Sequence, residues 1–260
     1  MRVKDIMDKS YPSVYADELA TKVRALLRSR GLRVFPVVDE HKRLVGVVSR
    51  NDLMAITSSV SPIRVKGIMS SPLVVVTADM ETLNAAQEMI RLDQWYGPVV
   101  KSSQDYGYLG VLGLEDFIRV VLKSASTRLS KPLSEIMSTE LVTCSPDDEV
   151  DNVWRLMQNH SLAGLPVVKN GKLVGMLTQK DLLDSGAVFP TFESKKGRFK
   201  SSSKIVSVMR TPVITLKPSS TVEEAARLML KKSIGRVPIV DEKERLVGIV
   251  DREDVVRIML

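Results

Sequence analysis

Two intervals recur four times along this chain, and together they restrict it to a repeat architecture. The tripeptides Asp5-Ile6-Met7, Gly67-Ile68-Met69, Glu135-Ile136-Met137 and Ser207-Val208-Met209 each lead towards a proline. Met7 to Pro36, Met69 to Pro98, Met137 to Pro166 and Met209 to Pro238 are all 29 positions apart. Each proline is followed by a glycine and, six residues later, an aspartate: Gly46/Asp52, Gly110/Asp116, Gly175/Asp181 and Gly248/Asp254. Self-similarity at this scale means one supersecondary unit that buries its apolar face against further copies of itself.

The periodicity inside each copy defines the unit. After the leader and a first strand, apolar residues fall at i, i+3 and i+7, the spacing of one helix face: Ala20/Val23/Leu27, Val150/Val153/Met157 and Val222/Ala225/Met229. The second copy keeps Ala85 and Met89 but has Thr82 at the first place. Ser220 with Glu223 three residues on reads as a capping box at the start of the fourth copy's helix. Two β-branched strands follow; in the third copy they meet at Asn170-Gly171, a dipeptide suited to the positive φ values of a type I′ turn. A second helix begins near each aspartate. The expected unit is strand–helix–strand–strand–helix, giving an α/β (α+β) fold, and one copy alone buries too little to be comfortable.

This layout resembles the CBS domain, the repeat named after cystathionine beta-synthase. The I-M leader, the PVV-type strand and the glycine-to-aspartate segment carry the resemblance across nearly the whole chain. It implies CBS repeats at 1–60, 61–122, 133–184 and 205–260, with a polar linker at 123–132 and an insert at 185–204. Consecutive copies of this family pair, so repeats one with two and three with four are expected to form two modules. A chain filled by four copies is similar to the gamma subunit of AMP-activated protein kinase and to stand-alone archaeal relatives.

The resemblance also implies a chemistry. Clefts between paired repeats of the family commonly hold adenosine-containing ligands, with the aspartate accepting hydrogen bonds from the ribose diol. Aspartate at a helix start also caps free amides without any ligand. Three residues earlier the family places a hydroxyl near phosphate; here those positions hold Ser49, Gly113, Thr178 and Asp251. Asp251 would set a second carboxylate where phosphate should lie, an unfavourable contact. Basic residues shortly before the partner's strand proline meet the phosphate charge, which points to Arg236 for the third repeat and Arg33 for the second. The best-equipped site combines Thr178, Asp181 and Arg236, with Val142, Leu162 and Ala163 flanking adenine. The runner-up is Ser49 with Asp52, facing Trp95 and Tyr96. The expected ligand is AMP, ADP or ATP, with S-adenosylmethionine as a further adenosine candidate.

Composition excludes several alternatives. Cys144 is the single cysteine, so an internal disulfide and a cysteine metal cluster are ruled out, and a reducing cytoplasmic setting is expected. His41 and His160 lack ligand spacing, and no metal site is expected. No nucleophile–base pattern or phosphate-binding glycine loop appears, so the chain is not expected to be an enzyme. No apolar run approaches the ~18 residues of a membrane span. The net charge of +7 favours polyanionic partners. The insert holds Lys195, Lys196, Arg198, Lys200 and Lys204 among Phe189, Phe192 and Phe199. Two readings stay open for it: a solvated loop, or a docking element for an effector protein or nucleic acid. The primary expectation is a ligand sensor that signals to an effector and associates as an intramolecular disc or a homodimer; the alternative is a nucleic-acid or protein scaffold with degenerate sites.

Overall fold

The structure, a computed structural model, describes residues 1–54, 56, 61–124, 126–185 and 203–260. Within each repeat the i, i+3, i+7 positions form the buried stripe of the first helix. In repeat one, β1 (Val14–Tyr15) and α1 (Ala20–Arg30) precede the hairpin β2 (Val34–Val38) and β3 (Leu44–Ser49), followed by α2 (Arg50–Met54). Repeat two has β4 (Val76–Thr77), α3 (Thr82–Arg91), β5 (Tyr96–Val100), β6 (Tyr108–Gly113) and α4 (Leu114–Lys123). Repeat three has α5 (Val150–Asn159), β7 (Gly164–Lys169), β8 (Lys172–Thr178) and α6 (Gln179–Ser185). Repeat four has α7 (Val222–Lys232), β9 (Arg236–Val240), β10 (Leu246–Asp251) and α8 (Arg252–Arg257). Buried on the first helices are Ala20, Val23 and Leu27; Ala85 and Met89; Val150, Val153 and Met157; Val222, Ala225 and Met229.

The expected first strand is present but short. In repeats one and two it pairs in parallel with the proline strand. In repeats three and four it shrinks to one parallel bridge, Cys144 with Val167 and Leu216 with Ile239. The proline sits mid-strand, Pro36 opposite Val47, Pro98 opposite Val111 and Pro166 opposite Met176. Its carbonyl accepts from the first strand: Cys144 N donates to Pro166 O at 3.1 Å and Leu216 N to Pro238 O at 3.2 Å. The N–H that proline lacks would point the same way, so its loss spares the hairpin ladder. The turn at Asn170-Gly171 has φ of 52° and 76°, as a type I′ turn requires. The capping box at Ser220 does not form. The Ser220 hydroxyl accepts from Lys217 N at 3.4 Å, its carbonyl accepts from Leu133 N, and Glu223 pairs with Arg227.

The leaders explain the two constant intervals. Each one crosses to the neighbouring repeat. Asp8 N donates to Val111 O at 2.9 Å, Ser70 N to Val47 O at 3.0 Å, Ser138 N to Ile249 O at 2.9 Å and Arg210 N to Met176 O at 2.8 Å. Three of the leader methionines lie on the partner's glycine, while Gly110 is approached by the Asp8 backbone instead. A Cβ at Gly46 would stand 2.9 Å from Met69 Sδ, one at Gly175 2.6 Å from Met209 Sδ, and one at Gly248 2.5 Å from Met137 Sδ. The methionine of one repeat therefore demands the glycine of the other. Val3, Val65, Leu133 and Ile205 at the heads of the leaders are fully buried, each contributing up to about 1.5–3 kcal/mol. Repeat one is thus interlocked with two, and three with four.

Two compact units emerge: Met1–Lys131 with Val222–Gly235 and Asp251–Leu260, and Pro132–Thr221 with Arg236–Val250. The fourth repeat is divided between them. Its helices α7 and α8 pack against α4 in the first unit, whereas β9 and most of β10 belong to the second. In the second unit Cys144, Val150, Val153, Met157, Leu165, Val167, Leu177 and Leu182 form one core with Ile205 of the fourth leader. Residues 127–130 of the expected linker form a 3-10 turn that buries Leu129. The basic, phenylalanine-containing part of the 185–204 insert lies almost wholly outside the described residues.

Candidate functional site

One local construction appears at the end of every hairpin. The signature aspartate reaches back to the last strand residue and accepts its backbone N–H: Ser49 to Asp52 at 2.7 Å, Gly113 to Asp116 at 2.9 Å, Thr178 to Asp181 at 2.9 Å and Asp251 to Asp254 at 2.8 Å. The residue between them ties this corner to the segment before the strand proline. Arg50 N donates to Arg33 O, Leu114 N to Trp95 O, Gln179 N to Ala163 O and Arg252 N to Gly235 O, all at 2.9–3.2 Å. Hairpin closure thus brings the Ser/Thr–Asp pair beside the residues before the proline.

The third repeat assembles most of the expected group. Thr178 Oγ1 donates to Asp181 Oδ2 at 2.5 Å, alongside the Thr178 N–H, so two donors fix that oxygen. Gln179 Nε2 donates to Leu162 O at 3.2 Å, and with the Gln179–Ala163 bond this holds Leu162 and Ala163 at the corner. Val142 is 38% exposed, so it is not a core residue. The register of the Cys144–Val167 bridge carries it towards the Gly164 end of β7, the end opposite Thr178. Arg236 opens β9 in the same compact unit as Thr178 and Asp181. The basic group bonded to Asp181 is Arg210, from the leader of the fourth repeat.

Arg210 escaped the sequence reading. Its Nε donates to Asp181 Oδ1, the oxygen that Thr178 leaves open. The Asp181 side chain is 3% exposed and that of Arg210 65%. The bond to Asp181 pushes the Arg210 guanidinium above its ordinary pKa. A signal existed: the residues after the four leader methionines are Asp8, Ser70, Ser138 and Arg210, and only the last is basic.

The other corners differ in chemistry. In repeat one, Ser49 Oγ and N both donate to Asp52 Oδ2 at 2.7 Å, and Oδ1 accepts nothing among the described residues. Of the aromatic pair expected to face it, Trp95 has one face under the Arg33 guanidinium, 4.6 Å from the ring centroid, and Tyr96 OH accepts from Arg252 at 3.3 Å. Arg33 does reach repeat two, but as a stacked, half-buried cation whose pKa burial lowers. In repeat two, burial, and then Glu115, raise the Asp116 pKa to about 6. Glu115 also receives a bond from Arg252 Nη1 at 2.6 Å, with side-chain exposures of 24% and 9%. In repeat four, Asp251 accepts from the N–H groups of Glu253 and Asp254, and burial together with this second carboxylate raises Asp254 to about 7. Phosphate at that corner would meet two acids.

No group of three or more His, Cys, Asp or Glu among the described residues is arranged to hold a metal ion. Burial pushes the Cys144 thiol up to about 12, which makes it inert. No helix among the described residues is long and apolar enough to cross a membrane.

The four-fold repeat has a counterpart among known proteins. The sequence matches the CBS domain at residues 3–58, 65–123, 133–187 and 205–260. The chain belongs to the CBS-domain family. It is 23% identical over 276 aligned positions to the uncharacterized protein MJ1225 of Methanocaldococcus jannaschii, covering 98% of this chain and 97% of that protein. The uncharacterized protein MJ1404 of the same organism is 28% identical, over 98% of this chain and 61% of its own length. An inosine-5'-monophosphate dehydrogenase of that organism is 34% identical over 49% of this chain but 23% of its own length. The crystal structure of MJ1225, described there as a candidate archaeal homologue of gamma-AMPK, superposes with a TM-score of 0.88 at 21% identity over the full length of both chains. That likeness establishes a shared fold.

Proposed function

We propose that this CBS protein is a non-catalytic sensor of adenine nucleotides that binds AMP, ADP or ATP at the third repeat and signals to a separate effector. The Thr178–Asp181 corner supports the reading best. One carboxylate oxygen is pinned by two donors, which leaves the other, bonded to Arg210, as the oxygen a diol would address, and Leu162 and Ala163 stand beside it to flank a base. Arg236 supplies charge for phosphate. Ser49 with Asp52 forms the secondary site, suited to the nucleoside part of a ligand. The paired acids Asp251 and Asp254 make the fourth repeat the poorest phosphate site.

Signalling follows from the interlocked leaders. Each repeat contributes a strand edge to its neighbour, so a ligand that prefers one relative placement of a pair shifts the population towards it. The effector senses that shift. A thermal-shift panel of AMP, ADP, ATP, GTP, NADH and S-adenosylmethionine tests the reading, because a ligand that binds only the folded state raises Tm. Adenosine ligands are expected to raise it and GTP not; a flat panel rules the sensor out.

A further inference from the structure

The Asp181–Arg210 pair carries an inference that rests on nucleotide binding at this corner and goes beyond it. We propose that Arg210 competes with the ribose for Asp181 and so makes the third-repeat site selective for phosphorylated over unphosphorylated adenosine ligands. With Oδ2 held by Thr178 and Oδ1 by Arg210, both oxygens of Asp181 are engaged. With the Asp181 side chain only 3% exposed, a ribose diol reaches Oδ1 by displacing the guanidinium. Among the described residues, by contrast, nothing donates to Asp52 Oδ1, so no such competitor stands at the first repeat there.

The two partners are placed unequally. Asp181 is enclosed, whereas the Arg210 side chain is largely in solvent. Its backbone is anchored: Arg210 N donates to Met176 O at 2.8 Å, and Met176 N to Arg210 O at 3.0 Å. A displaced guanidinium accordingly stays within one side-chain length of the ribose. Adenosine gives it no new partner. A 5′-phosphate does, and the planar guanidinium fork can grip two of its oxygens. Arg210 thus opposes nucleosides and assists nucleotides, unlike Arg236, which acts on the phosphate alone.

Titration calorimetry with adenosine and AMP on the full chain, wild type and Arg210→Ala, tests the proposal. Alanine keeps the Met176 bridge, and an unchanged Tm checks this. Breaking a pair with one exposed partner is worth little, so adenosine should tighten about two- to fivefold. AMP should weaken about three- to tenfold, and the AMP preference should fall by roughly tenfold in all. Arg210→Lys should restore part of the preference. An unchanged AMP-to-adenosine ratio in Arg210→Ala, or equal weakening of both ligands, overturns the proposal while leaving nucleotide binding intact. Failure of wild type to bind either ligand overturns the nucleotide reading and this proposal with it.

Discussion

Asp254→Asn isolates the cost of crowding two carboxylates at the fourth corner. The Asp254 pKa rises from 3.8 to about 7, first through burial and then through Asp251. An acid whose pKa is higher folded than unfolded holds its proton more tightly in the folded state. Stability is therefore highest near and below pH 4, declines as the pH rises towards 7, and stays low beyond that. At about 1.4 kcal/mol per pKa unit, a shift of this size corresponds to an upper value of about 4 kcal/mol. Partial solvent access reduces the expected cost to about 2–3 kcal/mol. Asparagine removes the charge but keeps an oxygen for the Asp251 N–H. Differential scanning calorimetry should show Asp254→Asn melting roughly 5–10 °C above wild type at pH 8, and level with it at pH 4.5. Equal Tm differences at the two pH values, or a lower Tm at pH 8, would refute the charge-crowding argument.

Three further outcomes follow. Gly175→Ala places a Cβ 2.6 Å from Met209 Sδ and should lower stability by about 1–2 kcal/mol in urea melts; adding Met209→Ala should recover part of the loss, and strictly additive losses would deny the contact. Glu115→Gln leaves Arg252, 9% exposed, without its counter-charge and should cost about 1–3 kcal/mol, read by the same melts; no loss would mean that the pair is energetically idle. Arg236→Ala should weaken AMP about 10- to 150-fold while leaving adenosine within about threefold by calorimetry, and equal losses would point to disturbed packing.

Much of this arrangement was legible because it depends on neighbours in sequence. The buried faces of α1, α5 and α7 are the i, i+3, i+7 sets read from the chain, and Asn170-Gly171 turns the third hairpin as its backbone preferences demand. The aspartates act within three residues of their partners, so the Ser49–Asp52 and Thr178–Asp181 bonds follow from spacing. Contacts that cross between repeats were not legible in the same way. Arg210 meets Asp181 from 29 residues away and Arg252 meets Glu115 from 137 away; only a comparison of the four leaders marks the first pairing, and nothing local announces the second. The Ser220 capping box failed for a related reason, since the leader at Leu133 and the turn at Lys217 claim that serine. The glycine–methionine pairs lie between these extremes. Their constant intervals were plain, but their cause, one side chain seated on the neighbouring repeat's backbone, needed three dimensions.

The central claim rests on the Asp181 carboxylate, and calorimetric titration of AMP into wild type and Asp181→Ala tests it most directly. Loss of a charge-assisted acceptor for the ribose should weaken AMP by about 10-fold or more, and adenosine to a similar degree, with Ser49 and Asp52 left to sustain any weaker binding. AMP affinity that is unchanged in Asp181→Ala, in a protein that melts as wild type does, would contradict the assignment of the site.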